Sequence, residues 1–425
     1  MTTRASRVLA AAFLAAGAVS IVPAATATAA TSTPCAIDNP QLIKSPDADE
    51  LIDRTGFSRT QQLATGKDVV VAVIDSGVDV RNDHLREAVL PGKSFAGGKD
   101  GRVDTEGHGT AVAGIIAARE VPDSSLVGGA PGSMILPVRV YDTASEQGKA
   151  RPSAKRTADG IRWATSQRVD VINVSLSAPA GVKNESLLRD AVAGAVAQDI
   201  VVVASGGNQP EPDKPLTADR FPAGPPGVIG VAAANDSGVV GAWSVHGPQV
   251  DVAAYGSSVL TAYLGAGDCV LDADTNAPQT SWSAAYVAAL AAQLRERFPQ
   301  ETAAQIVYRI EATADRPVAG TRDTEQGWGF IEPYSALTMT YDNDRPGPPV
   351  PGQVGPTEQT SKVRLTPVVA TPDPRGPGRN TLLWWAIGAL GLTGSALVLR
   401  PWVGQMVDVR NEPYPGRRRR GDRSG

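Results

Sequence analysis

Three short segments of this 425-residue chain carry side chains that could cooperate in nucleophilic chemistry. Val69-Val-Val-Ala-Val-Ile-Asp75 is an apolar run ending in a carboxylate, with Ser76-Gly77 after it. Gly107-His108-Gly109-Thr110 sets an imidazole between two glycines at the head of Ala111-Val-Ala-Gly-Ile-Ile-Ala-Ala118. Gln279-Thr280-Ser281 sets a hydroxyl at the head of Trp282-Ser-Ala-Ala-Tyr-Val-Ala-Ala289. A hydroxyl, an imidazole and a carboxylate are the parts of a base-assisted attack on a carbonyl. The imidazole takes the hydroxyl proton, and the carboxylate fixes its tautomer and stabilises the imidazolium. Taken singly each segment is ordinary: Asp-Ser-Gly is a weak signal, and Thr-Ser before a helix is most often an N-cap.

Such residues need a scaffold that gathers distant segments. From about Gly66 to about Leu337, short β-branched runs alternate with Ala-rich stretches, the pattern of an α/β domain with a parallel sheet. The runs predict strands over 69–74, 135–140, 169–174, 200–204 and 228–233, and helices over 110–118, 154–167, 187–198, 281–298 and 303–311. Strands apolar throughout are buried on both faces, as crossover helices require. Asp75 then falls at the carboxyl end of a buried strand, where open α/β sheets place their sites. His108 points outward from the first turn of an apolar helix, and its flanking glycines permit close backbone approach. Ser281 begins another helix, whose free N–H groups and dipole favour developing negative charge.

The composition, 42% hydrophobic and 20% charged, is that of a globular protein. The formal net charge is −4, and an Arg-rich C-terminus makes the remainder more acidic still, which argues against nucleic acid as a partner. Arg4 and Arg7, an apolar run over 8–22 and the small residues Ala27 and Ala29 read as an export signal over 1–30. A short extension over 31–65 precedes the domain over 66–340. A Pro/Gly-rich linker follows over 341–380. Residues 381–400 begin with an uncharged stretch flanked by Trp384, Trp385, Arg400 and Trp402, long enough to cross a bilayer. Arg417 to Arg420 and neighbouring arginines make 401–425 a cytoplasmic tail, which leaves the main domain outside the cytoplasm at the cell membrane. The two cysteines, Cys35 and Cys269, lie in the exported part, where a single bridge between them is expected. The alternative is two separate buried thiols.

Asp, His and Ser in this chain order, each at a strand end or a helix start, repeat the order of the subtilisin triad. Further blocks agree: Ala130-Pro-Gly, Ile135-Leu-Pro-Val-Arg-Val140, Val171-Ile-Asn-Val-Ser-Leu176, Gly206-Gly-Asn208, Phe221-Pro-Ala223 and Gly327-Trp-Gly-Phe-Ile331. Over roughly 66–337 the chain resembles the subtilisin-type serine proteases. Its order of signal, short extension, protease, Pro-rich linker and membrane helix is most similar to that of the mycosins of type VII secretion systems. The resemblance implies a doubly wound, mostly parallel sheet flanked by helices. It implies a peptidase in which Asp75, His108 and Ser281 form the triad and Asn208 joins the Ser281 N–H in holding the oxyanion. Ser175, Leu176 and Ser177 would line one side of the substrate cleft and Ser205, Gly206 and Gly207 the other, binding an extended peptide as an added strand. No cofactor and no metal is implied. The partners would be a protein or peptide substrate, the membrane and a type VII secretion complex.

The chain departs from the family pattern at Gln279, usually Gly; at Ala285 and Ala289, usually Pro and Gly; and at Ala254-Tyr-Gly256, usually Ala-Pro-Gly. If the backbone at Gln279 needs positive φ, a side chain there costs about 1 to 2 kcal/mol and displaces Ser281. That position keeps open a rival reading, a weakly active protease-fold subunit of the secretion complex. The 31–65 extension is too short for a separate folding-assistant prodomain and is expected to be structural. His84 reads as structural and His246 as a polar surface residue. Asp268, Asp272 and Asp274 lack the ordered spacing and Gly turn of a calcium loop. No Gly-x-Ser-x-Gly surrounds Ser281, which argues against a lipase or esterase.

Overall fold

The computed structural model describes residues 35, 41–98, 100–142, 152–209, 220–265, 267–272, 278–341 and 345–352. The export signal, the membrane segment, the arginine tail and most of the linker read from the sequence lie outside them. The chain divides into a unit over 1–355 and a second over 356–425, and every described residue belongs to the first. Among the described residues no helix is long and apolar enough to cross a membrane.

In chain order the strands are β1 (Val70–Asp75), β2 (Lys93–Ser94), β3 (Met134–Arg139), β4 (Val171–Val174), β5 (Ala178–Pro179), β6 (Val201–Ser205), β7 (Arg220–Phe221), β8 (Val228–Ala234), β9 (Val252–Tyr255), β10 (Val259–Ala262) and β11 (Asp268–Leu271). The helices are α1 (Pro46–Asp53), α2 (Phe57–Thr60), α3 (His108–Ala117), α4 (Ala154–Ser166), α5 (Glu185–Val196), α6 (Thr280–Arg297), α7 (Ala303–Thr313) and α8 (Pro333–Thr338). Each run expected from the sequence has its element, displaced by two residues at most.

The main sheet has seven strands in the order β2-β3-β1-β4-β6-β8-β9, all neighbours parallel. Its apolar runs are continuous because both faces are covered. Val71, Val73, Val171, Val201 and Val203 pack with α3 and α6 in one core, while Ala72, Ile74, Ile172, Val202 and Ala204 pack with α4 and α5 in the other. The alternation is the two-residue period of a strand. Helix α6 runs through the first core and is buried at every position from Thr280 to Leu294, as a helix apolar all round must be. Ala285 and Ala289 sit in it with no exposed surface. Gly129 fits against Ala289 only because it lacks a side chain, since a Cβ there would lie 2.8 Å from the Ala289 methyl.

Strand β1 is flanked by β3 on one side and β4 on the other, so the winding direction reverses there. A crevice opens at the carboxyl ends of β1 and β4, as it does in open α/β sheets generally.

The extension packs onto this body. Asp268 N donates to Gln41 O at 2.7 Å, Ile43 N donates to Asp268 Oδ2 at 2.9 Å, and Ser125 N donates to Ile43 O at 2.8 Å. Arg54 stacks on Tyr255 and pairs with Asp236 at 3.1 Å, and Phe57 is buried against Tyr286. Cys35 and Cys269 are disulfide-bonded, with Cα atoms 5.3 Å apart across 234 residues of sequence. Closing so long a loop restricts the unfolded chain. Replacing both cysteines with serine is expected to lower the unfolding free energy by about 5 kcal/mol, read from a urea titration. An unchanged midpoint would show that the Asp268 hydrogen bonds alone secure the extension.

Candidate active site

Asp75 ends β1 and is wholly buried. Its Oδ1 accepts from His108 Nδ1 at 2.7 Å, from Ser76 N at 2.7 Å and from the Tyr141 hydroxyl at 3.1 Å. Burial first, and then the Asp75 charge, push the Tyr141 hydroxyl far above its usual pKa, so it stays a donor. His108 opens α3, and Asp104 fixes that helix end. Asp104 Oδ1 accepts from Glu106 N at 3.0 Å and Gly107 N at 3.1 Å, and Oδ2 from Thr110 N at 2.9 Å and Thr110 Oγ1 at 2.6 Å. Gly107 turns the chain in at φ +86°, a conformation open to glycine. The Trp282 ring lies 4.8 Å from the imidazole and is tethered by Nε1 to Asp272 Oδ2 at 2.6 Å. Burial alone would lower the His108 pKa. The charge and hydrogen bond of Asp75, with smaller help from Asp104 and Glu106, outweigh it and hold the pKa above the ordinary histidine value.

Ser281 occupies the first turn of α6. Its Oγ donates to Ser175 O at 3.2 Å, and Ser175 Oγ donates to Ser281 O at 3.1 Å, so the end of β4 is tied to the head of the helix. Asn208, just past β6, is anchored by its oxygen, which accepts from Thr280 N at 2.9 Å and Thr280 Oγ1 at 2.8 Å. Its Nδ2 donates to Gln279 Oε1 at 2.5 Å.

The backbone at Gln279 is extended, with φ −105° and ψ 128°, so the strain expected there from a positive φ does not arise. What the side chain does instead is engage the Asn208 amide. If Asn208 holds the oxyanion, as the family resemblance implies, a Gln279→Gly variant is expected to raise kcat up to about tenfold, the worth of one neutral hydrogen bond no longer competing for its amide. Steady-state assay on a common peptide checks this, and a fall in kcat would make Gln279 an orienting support.

Of the expected cleft residues, Ser175, Leu176 and Ser177 leave β4, and Ser205, Gly206 and Gly207 end β6 and lead to Asn208. These two strands are neighbours, with Val174 opposite Ala204, so the segments leave the sheet side by side. Beyond Leu176 and Ser177 lies a cavity of about 460 Å³ with Ala178, Pro179, Leu188 and Phe221 in its walls. His84 is buried, with Nε2 at 2.9 Å from Asp268 Oδ1 and Nδ1 at 2.6 Å from Arg119 O, away from this cleft. His246 is half-buried, its Nε2 at 3.1 Å from Gly241 O. Among the described residues no group of three or more His, Cys, Asp or Glu gathers as metal ligands.

Asp104, Tyr141 and Trp282 were not singled out from the sequence. Asp104 carried a signal, an acidic residue just ahead of a helix start. Tyr141 follows a strand whose register sets Arg139 opposite Asp75, and only the pairing brings it there.

Residues 66–329 match the model of the subtilase family, peptidase S8. The chain belongs to that family and is a serine endopeptidase of subtilisin type. It is 34% identical over 381 residues to Mycosin-1 of Mycobacterium tuberculosis, covering 80% of this chain and 81% of that one. Among solved structures it is similar to MycP1 from Mycobacterium smegmatis, with a TM-score of 0.61, 28% identity and coverage of 75% and 92% of the two chains. It is also similar to a chain in the periplasmic assembly of the ESX-5 inner membrane complex, with a TM-score of 0.60, 27% identity and coverage of 75% and 91%.

Proposed function

We propose that the chain is a membrane-anchored endopeptidase that cleaves exported proteins beside a type VII secretion complex through an acyl-enzyme on Ser281. The observation that carries the reading is the His108–Asp75 hydrogen bond at 2.7 Å at the sheet crevice, with Ser281 on the adjoining helix end. Rotation about the Ser281 Cα–Cβ bond turns Oγ from the Ser175 carbonyl toward the imidazole. His108 Nε2 takes the proton as Oγ attacks the peptide carbonyl, and returns it to the leaving amine. Water, activated the same way, then releases the acyl group. Asp75, held by Tyr141 and Ser76, keeps the Nδ1–H tautomer and steadies the imidazolium. Asn208 Nδ2 and the Ser281 N–H receive the oxyanion. The peptide lies between the Ser175–Ser177 and Ser205–Gly207 segments, with an apolar side chain in the Leu176 cavity. Anchoring rests on the uncharged 381–399 stretch and the arginines after it, and the complex on the likeness to Mycosin-1 and to the ESX-5 assembly chain.

Labelling the purified ectodomain with a fluorophosphonate tests this. The expected result is a label present in the parent and absent in Ser281→Ala, and the absence of any Ser281-dependent label would overturn it. The engagement of Asn208 by Gln279 favours a second reading, a slow enzyme whose fold mainly binds other subunits. Full labelling with turnover below one per hour on secreted proteins would support that reading.

A further inference from the structure

At the cleft, Arg220 has no ion-pair partner among the described residues. It begins β7, which pairs antiparallel with β5 and sets Arg220 opposite Pro179, just past Ser177. Gly207, one residue before Asn208, has φ +108°. A Cβ built on it would lie 2.9 Å from Ser177 Oγ and 3.3 Å from Arg220 Nε. The two cleft segments and the guanidinium thus converge on one gap. One wall leads through Gly207 to Asn208, and the other leads back from Ser177 to Ser175, bonded to Ser281. A substrate side chain on the residue whose carbonyl meets Ser281 would be directed at these groups.

The gap is polar and unsatisfied. Arg220 is 9% exposed. Arg220 Nε and Ser177 Oγ are both buried, with no hydrogen-bond partner among the described residues. Among the described residues no carboxylate pairs with Arg220, and burial lowers its pKa below the usual arginine value, which leaves it charged even so. A buried cation with an empty donor beside a hydroxyl is costly until an anion meets it. A carboxylate accepts from both, since guanidinium and carboxylate match in shape and charge.

The geometry points to Arg220 and Ser177 as the specificity pair of this protease, selecting Asp or Glu as the residue that contributes the cleaved carbonyl. The inference rests on the peptidase reading above, but binding tests it apart from turnover.

Fluorogenic peptides identical except for Glu, Gln, Asp, Asn or Leu at that residue are assayed with the purified ectodomain. The expected result is a kcat/KM for Glu or Asp at least tenfold above that of its amide. The preference should disappear as pH falls through about 4, where the substrate carboxyl protonates. In Arg220→Met the ratio is expected to fall to about one, with fluorophosphonate labelling retained as proof of folding. Should that variant not fold, the parent's acid-to-amide ratios and their loss at low pH decide the matter. Equal rates for acid and amide, or a preference that survives Arg220→Met, would overturn the assignment. Anisotropy of the same peptides, dye-labelled, on Ser281→Ala reads the pocket without catalysis. Tenfold tighter binding of Glu over Gln there supports the pair even if the parent takes no fluorophosphonate, whereas equal binding sinks it even if the parent is fully active.

Discussion

Replacing His108 with alanine is expected to lower kcat by roughly a millionfold, the loss that follows removal of the imidazole in a subtilisin, a relative of this chain. Without it the Ser281 hydroxyl has no base, since its present partner is a carbonyl, which accepts a hydrogen bond but takes no proton. The fold is expected to persist. Asp104, not His108, caps the head of α3, and Asp75 keeps its bonds from Ser76 and Tyr141. Stopped assays with high enzyme concentration measure the residue of activity, which the oxyanion donors and substrate binding sustain. A loss below tenfold would mean that another group serves as the base.

Asp75→Asn is the second large effect, with kcat expected to fall about ten-thousandfold while the geometry stays nearly unchanged. An asparagine amide can donate to His108 Nδ1. The favoured tautomer then carries its proton on Nε2 and offers Ser281 no lone pair. The pH profile separates this from simple misfolding. Catalysis needs the neutral imidazole, and the His108 pKa is held above the ordinary value near 6.5 by Asp75 against the opposing effect of burial. Activity of the parent therefore climbs as pH rises through that elevated pKa. In Asp75→Asn the supporting charge is gone, burial prevails, and the acidic limb is expected to move to lower pH. Stability runs the other way. A histidine whose pKa is raised on folding stabilises the fold fully below its unfolded value, and this is lost as pH rises through the folded value. The parent thus gives up this increment over the window in which it gains activity. An acidic limb at the same pH in both proteins would remove Asp75 from the account.

The departure at Gln279 shows how far residue identity alone carries. A side chain where the family pattern expects glycine costs energy if the backbone is left-handed, but φ is set by the path from Gly256, whose carbonyl accepts from Gln279 N at 2.8 Å. With that path extended there is no strain, and the side chain is free to reach Asn208.

By itself the sequence determined the parallel α/β architecture and the places of Asp75, His108 and Ser281 on it. Apolar runs of strand length need cover on both faces, and polar residues at the ends of such runs have only the carboxyl edge of the sheet to occupy. Tertiary structure decided the rest. Tyr141 meets Asp75 through the β1–β3 register, and Arg220 meets Ser177 and Gly207 through the β5–β7 pairing. Neither has a local signal, because side-chain period and helix capping act over a few residues while strand pairing chooses partners from anywhere in the chain.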